Sequence, residues 1–478
     1  MSSPVPLLNF FYGDDFTGTM STAEIFAGEG VSTLVFTAAP NLATLREKFP
    51  GVRAVGVAGT ARSERTETLG RILPPVFRLM RESGAASLLY KVCSTFDSAP
   101  YIGSIGRAIE IALGELPNRW VAVFPAAPRF GRFVLFGNLF ASAGGDVVFR
   151  LDRHPSMAHH PVTPMGESDV LRHLGRQTDL PGGLVDIRTI HKGSEAVRQA
   201  IYSLEQRGHR LLLFDGLAAE DLEEACAAVL GHAHEGTPPL FVGSHEVAFG
   251  IASWFQERGA ADSFLAPGTG QPASDRPSQL LVVSGSCAAV TAGQIEWARA
   301  GGFAEVAVQA DYLLKQERPG QQNSAEGSAS SSTEESRVVA EAAAYLNRGL
   351  SVVIYTALGP ADPRVREAAV SGGDVTGVIG EALGRITRSL VARSGMRRIV
   401  IMGGDTSGAV LKQLKVSALQ VIASIPGAPA PLCISYSDEP QTNGLELALK
   451  GGQVGAVDYL GTIQRIQPGR FPRLRAAR

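Results

Sequence analysis

The sequence has few cysteines, no long apolar run and no large excess of charge of either sign. Its four cysteines are far apart and form no C-x-x-C pair, which excludes a zinc ribbon or a paired redox site and is typical of a reducing cytoplasm. Neither the first residues nor any later apolar stretch has the pattern of a signal peptide or a membrane span. The net charge of -2 gives no electrostatic reason to expect nucleic acid or a membrane as a partner. We therefore predict a cytoplasmic protein with neither of those partners.

Two common nucleotide-binding signatures are also missing. The P-loop pattern G-x-x-x-x-G-K-[ST] does not occur in the sequence. No G-x-G-x-x-G segment follows a predicted strand, which argues against a nicotinamide-dependent oxidoreductase. A nucleotide site in this protein must therefore be built from other loops.

What the sequence does contain is an alternation of strand-length apolar runs and helical patterns. Its length of 478 residues, with 45% hydrophobic and 19% charged residues, indicates a globular protein with more than one core. The alternation predicts an α/β fold class, with two α/β domains whose largely parallel sheets face each other across an inter-domain cleft. We place the domains at residues 1–261 and 279–478, with a linker at 262–278 and a Ser-, Gly- and Glu-rich mobile loop at about 318–336.

The first candidate site is the segment YGDDFTGT, in which an apolar run ends in Asp14 and Asp15 just before a helical pattern. In α/β sheets, ligands bind beyond the carboxyl ends of strands, although carboxylates at such a place also cap helices. Ser21 and Glu24 have the spacing of a capping box. We therefore expect those two residues to cap the helix and to leave both aspartates free to bind hydroxyl groups or a cation.

Three loops in the second half are rich in glycine and follow predicted strands. Small residues let backbone N–H groups approach an anion closely, so the loops are candidates for phosphate binding, and each also fits an ordinary turn. In the second of these loops we predict a helix from about Ser407. The candidate residues are Ser284, Gly285 and Ser286, then Gly403, Gly404, Asp405 and Thr406, and finally Lys450, Gly452 and Gly455.

Basic residues near strand ends of the first domain suggest that it recognises an acid. The segment KVCSTFDS contains Lys91, and PAAPRFGR contains Arg129 and Arg132. If these loops converge, the cations can bind a carboxylate or phosphate; otherwise the arginines lie on a solvated loop. A proline-rich loop holds three histidines with an incomplete metal-binding pattern, which is more typical of solvated side chains than of zinc ligands: His154, His159 and His160.

Taken in order, these motifs resemble the four-carbon acid sugar kinases, a family once filed as a domain of unknown function. The matching segments are GDDFTGT, KVCST, PAAPRFGR, GNLF, HPVTP, VSGSC, GGDTSGAV and LKGGQVG, and they span nearly the whole chain. The resemblance implies an amino-terminal α/β domain for the sugar acid and a carboxyl-terminal α/β domain for ATP. It implies a substrate such as threonate, erythronate, 3-oxo-tetronate or the branched 3-oxo-isoapionate.

The same resemblance assigns candidate residues to two sites. For the substrate site they are Asp14, Asp15, Lys91, Ser94, Thr95 and Arg132, and we add Thr17 as a further candidate. For the nucleotide site they are Ser286, Gly403, Gly404, Asp405, Thr406, Gly452 and Gly455, to which the small-residue loop pattern adds Ser284 and Gly285.

The sequence departs from the family pattern in the segment KVCSTFDS. Many members have KIDSTLRG there, so Cys93, Asp97 and Ser98 replace an aspartate, an arginine and a glycine. An acid at position 97 would repel an anionic substrate unless it points elsewhere. Because no base accompanies Cys93, we interpret it as a small buried apolar residue and not as a nucleophile. The cations left to bind the carboxylate are Arg132, Lys91 and Arg107.

The predicted reaction is phosphoryl transfer from ATP to a hydroxyl group of a small sugar acid. We expect Asp15, or Asp14 if the two are exchanged, to orient that hydroxyl group and accept its proton. Asp405 is the acid expected to bind Mg²⁺ beside the phosphates. Two other function classes stay open on these grounds, a non-catalytic sensor of sugar acid and nucleotide and a nicotinamide-dependent oxidoreductase. Assembly into a homo-oligomer is left open as well.

Overall fold

A computed structural model describes residues 5–143, 147–160, 162–233, 236–260, 278–314, 325–365, 375–469 and 471. The chain forms two compact units, Met1–Phe264 and Leu265–Arg478. The segment predicted as a linker lies outside the described residues except for its last position, Ser278. None of the described helices is both long and apolar enough to cross a membrane.

The first unit is built on a parallel sheet. Its strands are nearly all buried on both faces, as in sheets that helices cover on each side. The strands of the unit are β1 Asn9–Gly13, β2 Thr33–Phe36, β3 Ala54–Ala58, β4 Leu88–Lys91, β5 Val121–Phe124, β6 Arg132–Leu135, β7 Asn138–Ser142, β8 Val148–Arg150, β9 Gly182–Val185, β10 Leu211–Phe214 and β11 Leu240–Gly243. The order in the parallel sheet is β2-β3-β1-β4-β11-β5-β10-β9.

Helices connect these strands, so the carboxyl ends of the parallel strands lie at one edge of the sheet. Gly13, Lys91 and Gly243 are aligned side by side at that edge, because β1 pairs with β4 and β4 with β11. The helices of the unit are α1 Phe16–Gly28, α2 Leu42–Lys48, α3 Thr66–Ser83, α4 Ile105–Glu115, α5 Val170–Leu174, α6 Ile187–Ile190, α7 Ser194–Gln206, α8 Ala219–His232 and α9 Val247–Glu257.

Strands β6, β7 and β8 form a separate antiparallel sheet. The turn between β6 and β7 has positive φ at Phe136 (49°) and Gly137 (75°), the conformation of a tight hairpin turn. Buried Asp215, just after β10, accepts the N–H groups of Phe136 at 2.7 Å and Gly137 at 2.9 Å. This carboxylate fixes the hairpin that begins with Arg132 to the carboxyl edge of the parallel sheet.

The second unit has a sheet of mixed direction. Its order is β13-β14-β12-β15-β18-β17-β16, in which β17 is antiparallel to both neighbours and the other pairs are parallel. The strands are β12 Leu281–Ser284, β13 Ala304–Ala307, β14 Val352–Tyr355, β15 Arg398–Met402, β16 Ala418–Ile425, β17 Ala428–Tyr436 and β18 Glu446–Lys450. The helices are α10 Ala289–Ala300, α11 Ala310–Leu314, α12 Ala325–Asn347, α13 Val375–Ser394, α14 Gly404–Gln413 and α15 Tyr459–Arg465.

The predicted α/β class with largely parallel sheets is confirmed, and the predicted loop at 318–336 is wrong in its second part. Residues 325–336 belong to helix α12, whereas residues 318–324 lie outside the described part of the chain. Val338, Ala342 and Leu346 are buried at helical spacing. Once these buried residues have formed a helix, each serine added to it lowers helix stability by well under about 1 kcal/mol relative to alanine. The helix therefore extends through a polar segment.

Candidate active site

An ion-paired cluster lies beyond the carboxyl ends of β1, β3 and β4. Asp14 directly follows β1 and accepts hydrogen bonds from Arg62 Nε at 3.1 Å and Nη2 at 2.6 Å. Asp15 Oδ1 accepts hydrogen bonds from Arg62 Nη2 at 2.7 Å and from Lys91 Nζ at 2.9 Å. The cluster therefore combines two carboxylates with two cations.

Asp15 also caps helix α1, which corrects one step of the sequence analysis. The helix begins at Phe16, and Asp15 Oδ2 accepts the N–H of Gly18 at 3.2 Å. Ser21 and Glu24 lie inside the helix, so the predicted capping box is wrong. The helix starts earlier because Asp15 satisfies an N–H group of its first turn. Capping and ion pairing use different oxygens of Asp15, so the cap does not remove this carboxylate from the site.

The two aspartates differ in exposure and in pKa. The side chain of Asp14 is 3% exposed and that of Asp15 is 27% exposed. Burial raises the pKa of Asp14 in spite of the opposing effects of Arg62 and Lys91. For Asp15 the effect of burial is outweighed by Lys91 and Arg62, which hold the pKa of this carboxyl group well below its usual range. Asp15 is thus the more accessible carboxylate and the more strongly acidic one.

Gly18 gives Lys91 the space to reach Asp15. A Cβ atom at Gly18 would lie 1.5 Å from Lys91 Nζ and 2.5 Å from Asp15 Oδ1. The Lys91 side chain is 3% exposed, so it cannot swing into solvent without leaving its ion pair. The glycine of GDDFTGT is therefore required by close packing against the cluster.

The segment KVCSTFDS turns directly after β4. Thr95 Oγ1 donates a hydrogen bond to Asp97 Oδ1 at 2.6 Å, so the replaced position has a partner within its own turn. Burial raises the pKa of the Cys93 thiol, and Asp97 adds to that effect, so this cysteine is not activated as a nucleophile. Ser94 is half-buried in the turn, and Thr17 is half-buried in the first turn of α1.

The two arginines of PAAPRFGR have different surroundings. Arg129 forms ion pairs with buried Glu246 at 2.8 Å and with Glu223 at 3.1 Å, and this anchors the turn before β6. Arg132 Nη1 donates to the backbone oxygen of Phe130. Arg132 Nε is buried without a hydrogen-bond partner among the residues that the structure describes. Arg129 therefore has a structural role, whereas one donor of Arg132 is left unpaired by the described residues.

The other cations considered for the substrate carboxylate already have partners. Arg107 lies on helix α4 and forms an ion pair with Glu110 at 2.8 Å. Lys91 is held by Asp15. Of the three candidates, Arg132 is the one with a buried donor that the described residues leave unpaired.

His245 follows β11 at the same edge of the sheet. Its ring packs against the ring of Phe130 with 4.5 Å between centroids, and its Nε2 is buried without a partner within the described part of the chain. Burial, together with Lys91 and Arg132, lowers the pKa of His245 to about 3. The imidazole is therefore neutral at physiological pH.

In the second unit, three glycine-rich loops meet beyond β12, β15 and β18, which are neighbours in the sheet. A Cβ atom at Gly285 would lie 2.3 Å from Thr406 Oγ1, and one at Gly452 would lie 2.5 Å from Ser286 Oγ. Gly403 has a φ of 122°, and a Cβ there would lie 2.9 Å from Thr406 Oγ1. The structure thus brings predicted residues of all three loops together, at spacings that only glycine permits.

A buried lysine lies behind these loops. Lys450 Nζ donates to Thr291 Oγ1 at 3.2 Å and to the backbone oxygen of Gly451 at 2.9 Å. No carboxylate of the described residues forms an ion pair with it, and burial lowers the pKa of Lys450 to about 8. Gln294 Nε2 donates to the backbone oxygen of Gly455 at 3.0 Å, which fixes the end of the third loop. The lysine therefore carries a positive charge for which the described residues offer neutral partners.

The remaining predicted nucleotide residues lie where strands turn into helices. Ser284 is buried at the end of β12. Helix α14 begins at Gly404 and not at about Ser407, so Gly404, Asp405 and Thr406 form its first turn. The first N–H groups of a helix have no partner within the helix and attract anions.

Few protein groups in the described ranges could hold a metal ion. No cluster of three His, Cys, Asp or Glu side chains there is arranged to do so. His154 and His160 instead accept backbone N–H groups through Nδ1. Mg²⁺ bound with ATP uses one or two carboxylates, while phosphates and water complete its coordination. Asp405, exposed in the first turn of α14, fits that limited requirement.

Sequence comparisons agree with this division into two sites. Residues 10–250 match a family model described as a sugar-binding N-terminal domain, and residues 281–460 match one described as a nucleotide-binding C-terminal domain. A 3-oxo-isoapionate kinase from Paraburkholderia graminis is 39% identical over 470 residues, covering 96% of this chain and 95% of the relative. The chain belongs to the four-carbon acid sugar kinase family.

Further relatives of this sugar-acid kinase have related activities. A 3-oxo-tetronate kinase from Pseudomonas fluorescens is 31% identical, with 96% of each chain covered. Two crystal structures share the fold. A protein from Salmonella typhimurium LT2 has a TM-score of 0.75 at 24% identity, covering 96% of this chain and 99% of its own. A Haemophilus influenzae protein of family DUF1537 has a TM-score of 0.70 at 23% identity, covering 95% and 99%.

The predicted enzyme class is confirmed. This sugar-acid kinase uses ATP to phosphorylate a small sugar acid, as its family membership over nearly the whole chain shows. The sensor and the nicotinamide-dependent oxidoreductase, the two other classes left open by the sequence analysis, are therefore set aside.

Two residues at the sugar-kinase site were missed from the sequence. Arg62 stands in a short turn after β3, and His245 stands two residues after β11. Both positions follow apolar runs that had been recognised as strands, so the rule that ligands bind at carboxyl ends of strands could have drawn attention to them. Their position beside the cluster depends on strand order, which the sequence does not display.

Proposed function

We propose that this kinase phosphorylates a hydroxyl group of a branched 3-oxo sugar acid of the 3-oxo-isoapionate type. The observation that carries the proposal is its 39% identity to a 3-oxo-isoapionate kinase over 96% of the chain, against 31% for the 3-oxo-tetronate kinase of Pseudomonas fluorescens. Asp97 is compatible with the proposal, because it is shorter than the arginine common in the family and is paired with Thr95 within its own turn.

We also propose that the sugar acid binds to the first unit and ATP to the second. The acid cluster of the first unit can orient hydroxyl groups through carboxylate oxygens. The three glycine-rich loops of the second unit offer backbone N–H groups and one buried cation, which suit phosphate oxygens. The descriptions of the two matched family models support the same assignment.

In the proposed mechanism, Asp15 orients the attacking hydroxyl group and accepts its proton late in the reaction. Its greater accessibility than Asp14 supports this role, and its strongly acidic character is compatible with it because phosphoryl transfer requires little early proton removal. Asp14 and Arg62 hold Asp15 and Lys91 in place. Arg132 is proposed to bind the carboxylate of the substrate through Nε, the donor for which the described residues offer no partner.

We assign Mg²⁺ to the ATP phosphates, with Asp405 as its protein ligand. The metal would neutralise phosphate charge, and the exposed carboxylate in the first turn of α14 is suitably placed for it. Thr17, Ser94 and Thr95 are proposed to complete the sugar-acid site. Location in the cytoplasm and assembly into a homo-oligomer stay predictions.

A coupled assay of ADP release tests the substrate assignment. The panel contains 3-oxo-isoapionate, 3-oxo-tetronate, threonate and erythronate, each with saturating ATP and Mg²⁺. We expect the highest kcat/KM with 3-oxo-isoapionate, because a pocket shaped for a branched acid holds a linear one less firmly. A higher kcat/KM for any linear acid would contradict the proposal.

A further inference from the structure

Two buried polar atoms near the acid cluster lack hydrogen-bond partners in the described part of the first unit. They are Arg132 Nε and His245 Nε2. Buried polar groups in folded proteins are nearly always hydrogen-bonded, so each exception calls for an explanation. Both residues lie at the carboxyl edge of a parallel sheet, which is where such sheets bind ligands.

The backbone on both sides of His245 is firmly anchored. Ser244 Oγ donates to the backbone oxygen of Ala126 at 2.7 Å, and Glu246 pairs with Arg129 at 2.8 Å. Ser244 and Glu246 are both fully buried. Substrate-binding groups are effective when neighbouring contacts lock their position, and His245 has that support.

The imidazole ring is also held in place relative to the acid cluster. Gly243, at the end of β11, pairs with Lys91, at the end of β4, so the chain leaves β11 beside the cluster. The ring of Phe130 packs edge-on against His245 at 4.5 Å. Lys91, Asp15 and Arg132 are close enough to His245 to influence its charge.

We propose that His245 is a further substrate-binding residue that hydrogen-bonds the sugar acid through Nε2, beside the carboxylate-binding Arg132. This inference rests on the proposed function, because it assigns a further residue to the same substrate site. A neutral imidazole nitrogen suits a hydroxyl or oxo group of the substrate, while Arg132 supplies the charge for the carboxylate. The lowered pKa of His245 agrees with a neutral role.

The test compares His245→Leu, which removes the ring nitrogens, with His245→Gln, which keeps a polar group near the position of Nε2. His209→Leu is the matched control. His209 Nδ1 is also buried without a partner among the described residues, but His209 precedes β10 at the opposite edge of the sheet. For each variant, KM is measured for 3-oxo-isoapionate and for ATP, and Kd for threonate is measured by calorimetry without ATP.

We expect His245→Leu to raise KM for 3-oxo-isoapionate and Kd for threonate about tenfold or more, the effect of losing a buried hydrogen bond. KM for ATP should stay unchanged, His245→Gln should restore most of the affinity, and His209→Leu should leave all three constants unchanged.

Three outcomes decide between the possibilities. Unchanged KM and Kd in His245→Leu would overturn the inference. Equal losses in His245→Leu and His245→Gln would assign a structural role to the residue and would also contradict it. If the wild-type protein phosphorylates no acid of the panel yet binds threonate through His245, the proposed function fails and the inference stands.

Discussion

The two units place different chemistry at the carboxyl ends of their strands. In the first unit, Asp14 and Asp15 are interlocked with Arg62 and Lys91 by hydrogen bonds of 2.6 to 3.1 Å. In the second unit, glycines and hydroxyl groups line the equivalent edge, and the hydrogen bonds of buried Lys450 to described residues go to neutral oxygens.

Under the proposed assignment of the two ligands, this contrast follows from what each ligand needs. A sugar hydroxyl group must be oriented by a few side-chain oxygens, which stay fixed only if opposing charges hold them. Phosphate groups carry their own charge and bind to backbone N–H groups that glycine makes accessible. Substitutions in the charged cluster should therefore change turnover, whereas substitutions in the glycine-rich loops should change the affinity for ATP.

The largest effect is expected from Asp15→Asn. We expect kcat to fall about 10²- to 10⁴-fold because the amide cannot accept the proton of the hydroxyl group. The helix cap should survive, since asparagine caps helices as well as aspartate does. Steady-state kinetics with 3-oxo-isoapionate and ATP measures kcat, and KM for ATP should stay within about twofold because no contact to the nucleotide is removed.

Asp186→Asn is the matched control for Asp15→Asn. Asp186 follows β9 and caps helix α6 by accepting the N–H of Thr189 at 3.0 Å. It is a helix-capping aspartate at the same sheet edge but outside the acid cluster. Full activity in both variants would show that Asp15 is only a cap, whereas equal loss in both would indicate a general effect on the fold.

A smaller effect, confined to ATP, is expected from Gly452→Ala. The added methyl group would lie 2.5 Å from Ser286 Oγ and 3.1 Å from the Cβ atom of Ala288, so two loops must move apart. We expect KM for ATP to rise about tenfold, the equivalent of one lost hydrogen bond to phosphate. KM for the sugar acid should not change.

Gly408→Ala is the control for that substitution. Gly408 lies in helix α14, and a Cβ atom there would meet nothing within 4 Å. If Gly452→Ala raised KM for the sugar acid more than KM for ATP, the assignment of the two ligands to the two units would be wrong.

The strands and the glycine-rich loops could be predicted because their signals are local. Apolar runs such as LLNFFY and RRIVIMGG indicate buried strands, and a glycine directly after a strand indicates that another part of the backbone approaches closely. That is why Gly285, Gly403 and Gly452, identified one by one from the sequence, meet in the structure.

The ion pairs and the start of helix α1 could not be predicted, because they depend on neighbours that are distant in sequence. Arg62 lies 48 residues after Asp14 in the chain, and the two meet only because β3 lies beside β1. Ser21 and Glu24 have the spacing of a capping box but do not cap the helix, because the helix already begins at Phe16 with Asp15 as its cap. Likewise, composition alone indicated a loop where buried residues such as Leu346 hold helix α12 in place.

The smallest expected effect is a change in the KM for ATP with pH, which tests the difference in charge between the two units. Burial lowers the pKa of Lys450 to about 8, so this side chain loses its proton as pH rises from 7 to 9. We expect KM for ATP to rise about threefold over that range, because the neutral amine keeps a hydrogen bond but loses its charge. In Lys450→Met this pH dependence should disappear, whereas in Lys412→Met, which changes an exposed lysine of α14, it should persist.

The affinity for ATP should fall as pH rises, but the stability of the fold should increase. The reason is that the unfolded chain keeps the ordinary lysine pKa of 10.5. Between about pH 8 and 10.5, the unfolded state binds more protons than the folded state, so the free energy of unfolding should rise with pH in that window. Chemical denaturation of wild type and Lys450→Met at pH 7 and 10 measures this contribution. If the two proteins show the same change in unfolding free energy between these pH values, Lys450 is not the buried cation of the nucleotide loops.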